Sequence, residues 1–241
     1  MSKSILITGA TRGLGENLAR QFAQRGYRVA LVGRDQGQLD ALQQELAALA
    51  PQVCTRVLDV ANFEQVEPVL RECAQELAGL DIVVVNAGVA IAGKTGQGRF
   101  EDMRKTIDVN LTGAIATAEA ALQLFSEQGQ GQLVGVTSVA AVRGMPGQAA
   151  YSATKAGFGK YLEAARLDYR KAGIKVTELA PGYIDTDLNR SLKSRPFLVS
   201  AEKGTRVLAD LIEREVDFRF VPPWPWSIVA RLVKIAPGGV F

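Results

Sequence analysis

Hydrophobic and polar positions along the chain fall into two alternating textures. Short apolar runs recur at residues 4–8, 28–32, 52–58, 81–85, 132–137, 175–179 and 218–221. Longer stretches between them carry apolar residues at three- and four-residue spacing and predict helices over 13–25, 36–49, 63–77, 99–127, 150–171 and 201–214. A strand that is apolar at nearly every position, instead of at every second one, is buried on both faces, as in a parallel sheet covered by crossover helices. The pattern therefore predicts an α/β fold: a doubly wound parallel sheet with helices on both faces, in one domain. Residues 1–221 carry the alternation, and residues 222–241 read as an amphipathic, Trp- and Pro-containing extension of the same domain. In such sheets ligands bind at the carboxyl ends of the strands.

Composition narrows the chemistry. With 241 residues, 47% of them apolar, the chain can fill one large core. The 28 basic and 25 acidic residues are interspersed, so the net charge of +3 forms no basic stripe, and small molecules are expected as partners in place of nucleic acid. Cys54 and Cys73 are isolated, which points to neither a disulfide framework nor a zinc site. The first apolar run is too short for a signal segment, and a cytoplasmic location is expected. There is no histidine at all. Ser-His-Asp, Cys-His and His-ligated metal chemistry are thereby excluded, and any proton shuttle must use Tyr, Lys or carboxylates.

The first strand runs directly into Thr8-Gly9-Ala-Thr-Arg12-Gly13-Leu14-Gly15 and then a helix. Glycines at this junction permit a tight turn and close approach of backbone to a pyrophosphate at the helix N-terminus, the arrangement of Rossmann-type dinucleotide folds. The spacing is Gly-x-x-x-Gly-x-Gly and differs from the commoner Gly-x-Gly-x-x-Gly. The second strand ends Val32-Gly33-Arg34, with glycine near the position where an acidic residue would hold the ribose hydroxyls. Arg34 and Arg12, with no close carboxylate, favour NADP over NAD, although Asp35 lies one or two residues further on and can still turn towards the ribose. Asp59-Val60 ends the third strand, where Asp59 can meet an adenine amino group or cap the next helix. Asn86-Ala87-Gly88 ends the fourth, small enough for backbone to pass beside a nucleotide.

Tyr151 and Lys155 stand four residues apart and share a helix face. Lowering a tyrosine pKa by ~3 units takes ~4 kcal/mol, about what an ammonium at ~4 Å supplies at an effective dielectric of ~20. Taken alone, Tyr-x-x-x-Lys occurs on many amphipathic helices. Its company makes it specific: Thr8-Gly9-x-x-x-Gly13-x-Gly15, Asp59, Asn86-Ala87-Gly88, Asn110, Ser138, Tyr151-x-x-x-Lys155 and Pro181-Gly182-x-x-x-Thr186 occur in this order between about residues 4 and 190. In this the chain resembles the short-chain dehydrogenase/reductase family. The resemblance implies an NADP(H)-dependent carbonyl reductase, or the reverse dehydrogenase acting on an alcohol, with a catalytic tetrad of Asn110, Ser138, Tyr151 and Lys155. It implies that Tyr151 is the proton donor or acceptor, that Lys155 tunes it and binds the nicotinamide ribose, and that Asn110 holds a water in a proton path. The Ile184 backbone and the Thr186 hydroxyl, after Pro181-Gly182, are implied to hold the carboxamide. NAD-linked alcohol oxidation and a non-catalytic nucleotide-binding role are the alternatives.

Alanines are dense in the helices that carry Asn110 and Tyr151. They suit close helix packing within the chain or across a two-fold axis, and the resemblance implies a homodimer or homotetramer. If helical after Pro225, the C-terminal extension places Trp226, Val229, Leu232 and Val233 on one face and Ser227, Arg231 and Lys234 on another. Such a helix can cap an apolar substrate pocket, pack on a partner subunit or lie peripherally on a membrane surface.

Overall fold

A computed structural model of the chain describes residues 2–190, 192 and 194–235. Seven strands, β1 (Ser4–Thr8), β2 (Arg28–Gly33), β3 (Val53–Val57), β4 (Ile82–Val85), β5 (Gly131–Val136), β6 (Ile174–Pro181) and β7 (Phe218–Val221), form one parallel sheet in the order β3-β2-β1-β4-β5-β6-β7. The helices are α1 (Gly13–Gln24), α2 (Gln36–Leu46), α3 (Phe63–Glu76), α4 (Phe100–Ile107), α5 (Gly113–Gln128), α6 (Ala149–Asp168), α7 (Ala201–Glu213) and α8 (Pro223–Ile235).

The continuous apolar strands explain the two layers. In β1, Ile5 and Ile7 join a core with Leu18 and Phe22 of α1 and Leu208 of α7. Leu6, pointing the other way, joins a second core with Leu70 of α3, Phe125 of α5 and Phe158 of α6. The chain leaves β1 for β2 on one side and returns to β4 on the other. Loops after β1 and β4 therefore diverge, opening a crevice at the carboxyl edge.

Two local features set the geometry of that crevice. Gly135 lets α6 press onto β5, since a Cβ there would lie 2.2 Å from Leu162 Cδ1. The helix predicted over 99–127 is interrupted: Asp108–Thr112 form a π turn between α4 and α5. A single extra residue in a helix leaves composition and capping signals unchanged, so periodicity alone reads through it.

The alanines of α5 act mainly inside the chain, whereas most of those in α6 reach its surface. Ala114, Ala118, Ala120 and Ala121 of α5 are buried in its own core. In α8 the helix proper begins after Trp224, whose backbone is extended. Trp226 and Ala230 are buried, whereas Leu232 is exposed, a correction to the face predicted from its spacing. Ring contacts explain the rotation: Trp226 is held between Tyr183 and Phe197 at centroid distances of 5.8 Å each, and this fixes which side turns inward. Residues 236–241 of the predicted extension lie outside the described residues.

Candidate active site

A cleft of about 1230 Å³ runs along the carboxyl edge of the sheet, from Arg34 and Gln38 at one end to Trp226 and Val233 at the other. Of the candidate cofactor-binding and catalytic residues, all but Thr8, Gly15 and Asn110 line it. Those three stand behind the lining and hold it in place.

Thr8 and Asn86 act as a clamp between β1 and β4. The Thr8 hydroxyl accepts hydrogen bonds from the backbone N–H groups of Asn86 (3.1 Å) and Ala87 (3.2 Å), and Asn86 Nδ2 donates to the Thr8 carbonyl at 2.9 Å. The glycine turn is folded tightly against this clamp. A Cβ on Gly9, whose φ is +66°, would lie 2.9 Å from Ala87 Cα, and one on Gly15 would lie 2.2 Å from the Gly9 carbonyl oxygen. Across the cleft, Thr186 lies in contact range of Gly13.

At the Arg34 end, the side chains settle two points the sequence left open. Asp35 is the N-cap of α2, its Oδ1 accepting from Gln38 N at 3.0 Å, which commits one carboxylate oxygen to the helix start. Asp59 does not cap α3, whose N-cap is Asn62. Its Oδ1 accepts from Ala61 N at 3.0 Å, and its Oδ2 lies 3.5 Å from Arg34. The expectation of no close carboxylate beside Arg34 is thus corrected, because strand pairing brings Asp59 across from β3. Both partners are about half exposed, 50% and 46%, so the pair is a weak one that another anion can replace. Thr11, which sequence reasoning passed over, packs where a side chain at position 33 would go, 2.7 Å from an ideal Cβ on Gly33. Glycine at the usual acidic position was the signal for it.

Ser138, Tyr151 and Lys155 meet over the end of β5. Ser138 caps a short 3-10 turn, its hydroxyl accepting from Ala140 N at 3.1 Å. Tyr151 sits in the first turn of α6, and hydrogen bonding from Ser138 partly offsets the burial that pushes its phenol above the ordinary tyrosine range. Lys155, buried one turn on, donates to the Val136 carbonyl at 2.8 Å with Nζ 5.9 Å from the Tyr151 ring centre. Burial lowers its pKa to about 8. The phenol is thus shifted up where a depression by the ammonium was anticipated, because burial penalises its charged form as it does that of Lys155. Asn110 Oδ1 accepts from Val89 N at 2.8 Å and its Nδ2 donates to Val89 O at 2.7 Å, which ties the amide to the loop after β4.

The lysine shift carries a sign for stability. Between about pH 8 and 10.5 the unfolded chain holds a proton that folded Lys155 has released, so its contribution to stability rises with pH through this window. The stability difference between the natural chain and Lys155→Met, from urea unfolding, should shift in favour of the natural chain by about 2 kcal/mol between about pH 7 and 9.5. A pH-independent difference would refute the buried-ammonium description.

A family model described as short chain dehydrogenase matches residues 3–196. An uncharacterized oxidoreductase of Mycobacterium tuberculosis is 39% identical, covering 98% of this chain and 94% of that protein. One of Myxococcus xanthus is 37% identical, covering 99% and 94%. Among solved structures, an alcohol dehydrogenase of Thermococcus sibiricus complexed with 5-hydroxy-NADP is 27% identical, covers 91% of this chain and 95% of its own, and superposes with a TM-score of 0.81. With the sheet order, the glycine turn clamped by Asn86 and the Ser138–Tyr151–Lys155 cluster, these likenesses establish that the chain belongs to the short-chain dehydrogenase/reductase family of oxidoreductases.

Proposed function

We propose that the chain is an NADP(H)-dependent carbonyl reductase, working on an apolar ketone or aldehyde or, in reverse, on the corresponding alcohol. The observation that carries this is the meeting of Tyr151 with Ser138 and the buried Lys155 in the cleft over the end of β5. A phenol held above its ordinary pKa is protonated at neutral pH, the state a proton donor needs.

The residues fit a dinucleotide phosphate. The glycine turn leaves room for backbone to approach a pyrophosphate at the N-terminus of α1, where the helix dipole favours negative charge. Arg34 and Arg12 line the cleft at the end suited to a 2′-phosphate, and Asp35 is occupied at its helix start. The solved alcohol dehydrogenase carrying an NADP derivative supports the same choice. The Ile184 backbone and the Thr186 hydroxyl would hold the carboxamide. Bound in this way, the reduced nicotinamide supplies the hydride.

The chain's own groups supply the rest. Ser138 Oγ donates to the substrate carbonyl oxygen and orients it. Tyr151 Oη gives its proton to that oxygen as negative charge develops there. Lys155, charged below about pH 8, stabilises the phenolate left behind. Asn110 acts as a positioning residue by fixing Val89 at the cleft wall.

Purified protein with NADPH and a panel of ketones and aldehydes, followed by loss of the reduced nicotinamide absorbance, tests the reading directly; tight cofactor binding with no turnover on any of them would favour a regulatory nucleotide-binding role. Cofactor choice has its own test. Arg34→Ala should weaken NADPH about tenfold while leaving NADH affinity within about twofold, by fluorescence titration, since a charge-assisted hydrogen bond contributes about 1.5–3 kcal/mol before solvent screening. Equal losses for both nucleotides would instead assign NAD-linked chemistry. A homodimer through the outer faces of α5 and α6 and the π turn before α5, where Ile115, Ala156 and Leu111 remain partly exposed, completes the proposal.

A further inference from the structure

α8 is apolar on two sides. Its inner side, Trp226, Val229, Ala230 and Val233, walls the far end of the cleft. Its outer side presents Ile228, Leu232 and Ile235, at four- and three-residue spacing, with Trp224 just before the helix; Trp224 is 72% exposed and Ile235 79%. Phe197, exposed and stacked edge-on against Trp226, extends this apolar surface beside the cleft. Arg231 and Lys234 flank the stripe, both exposed. Neither takes part in an ion pair among the described residues, and the sequence of α8 contains no acidic residue.

We infer that this outer face of α8 is a docking surface for an anionic lipid bilayer. Three properties favour a bilayer over a second copy of the chain. A two-fold contact matches a face against itself, which would oppose Arg231 and Lys234 with the same two cations, whereas anionic headgroups complement them. An exposed indole at the rim of an apolar stripe suits the boundary between headgroups and acyl chains. Thirteen residues are too few to cross a bilayer, and no described helix is long and apolar enough to do so, so the helix would lie in the plane of the surface. Because the inner side of the same helix walls the cleft, docking would bring the cleft mouth to the lipid, and the substrate would be an apolar carbonyl compound partitioned into the bilayer. This last step rests on the reductase reading; the docking itself does not.

The test is co-sedimentation of the full chain with vesicles of phosphatidylcholine alone and of phosphatidylcholine with roughly one third phosphatidylglycerol at low salt. Binding to the anionic vesicles is expected, with a blue shift of emission that survives Trp226→Phe and is lost in Trp224→Phe. Leu232→Glu should weaken binding about tenfold or more, because it removes a large buried apolar contact and adds a repelled charge. The charge reversal Arg231→Glu/Lys234→Glu should abolish the preference for anionic vesicles. Trp224, Leu232, Arg231 and Lys234 are exposed, and unchanged thermal unfolding and NADPH binding would verify that their variants fold. No binding at low salt, or equal binding by Leu232→Glu, would overturn the inference. So would a fall in oligomeric mass in Leu232→Glu without vesicle binding, which would make the face a contact between copies. Vesicle binding by a protein inert towards every carbonyl compound would sustain docking and remove only the reductase reading.

Discussion

Replacing Tyr151 with Phe is expected to lower kcat for carbonyl reduction by about 10²–10⁴, while NADPH affinity changes by no more than about twofold. The substitution removes one oxygen and preserves the ring that packs at the start of α6. No histidine exists to take over proton transfer, and the Lys155 ammonium is directed at the Val136 carbonyl. Ser138 remains to orient the substrate, so KM should move less than kcat. The measurement is steady-state kinetics at saturating NADPH on the best substrate of the panel, together with a direct cofactor titration. Retention of kcat within about threefold would show that the proton comes from elsewhere, since positioned proton transfer contributes far more than that.

Gly15→Ala should be the most damaging single-methyl change at the nucleotide end. Elsewhere in a helix, glycine to alanine stabilises by about 1 kcal/mol. Here the added carbon would sit 2.2 Å from the Gly9 carbonyl oxygen and 2.7 Å from Asn86 Nδ2, and the first of these is backbone that cannot rotate away. Relief requires opening the turn between β1 and α1, and overpacking of this kind costs about 1–3 kcal/mol or more. The expected result is a net destabilisation of about 2 kcal/mol or more by urea unfolding, because the clash exceeds the helix gain. NADPH affinity should fall at least about hundredfold, through loss of the anion site that the backbone forms. Gly144→Ala, with open space around it, serves as the neutral control. Wild-type cofactor affinity in Gly15→Ala would remove the glycine turn from the proposed nucleotide site.

Most of the scaffold was readable because its signals are local. Seven apolar runs became seven strands, and the turn from Thr8 to Gly15 lies where its glycines placed it. Tyr151 and Lys155 share a helix face whatever surrounds them. What escaped the sequence depends on distant parts of the chain. The pairing of Arg34 with Asp59 arises from β2 and β3 lying side by side. The protonation of Tyr151 and Lys155 is governed by burial, which spacing does not report. The inward side of α8 was misjudged at Leu232 because both sides are apolar, and only the seat of Trp226 against Gly182, Tyr183 and Phe197 distinguishes them.

The π turn at Asp108–Thr112 carries a consequence for how this chain can vary in length. A π turn amounts to one inserted residue, and deleting Asp108 would restore an uninterrupted α-helix with no loss of helix-forming residues. The wide turn takes up about the 100° that the extra residue would otherwise add, so α4 and α5 would keep their phase. What would change is the turn itself, because the bulge that carries Asn110 to Val89 would be gone. Every residue type that the reaction needs would still be in the chain, and the Asn110 amide would lose its hold on the cleft wall. At this point of the fold, function is stored in the count of residues as much as in their identity.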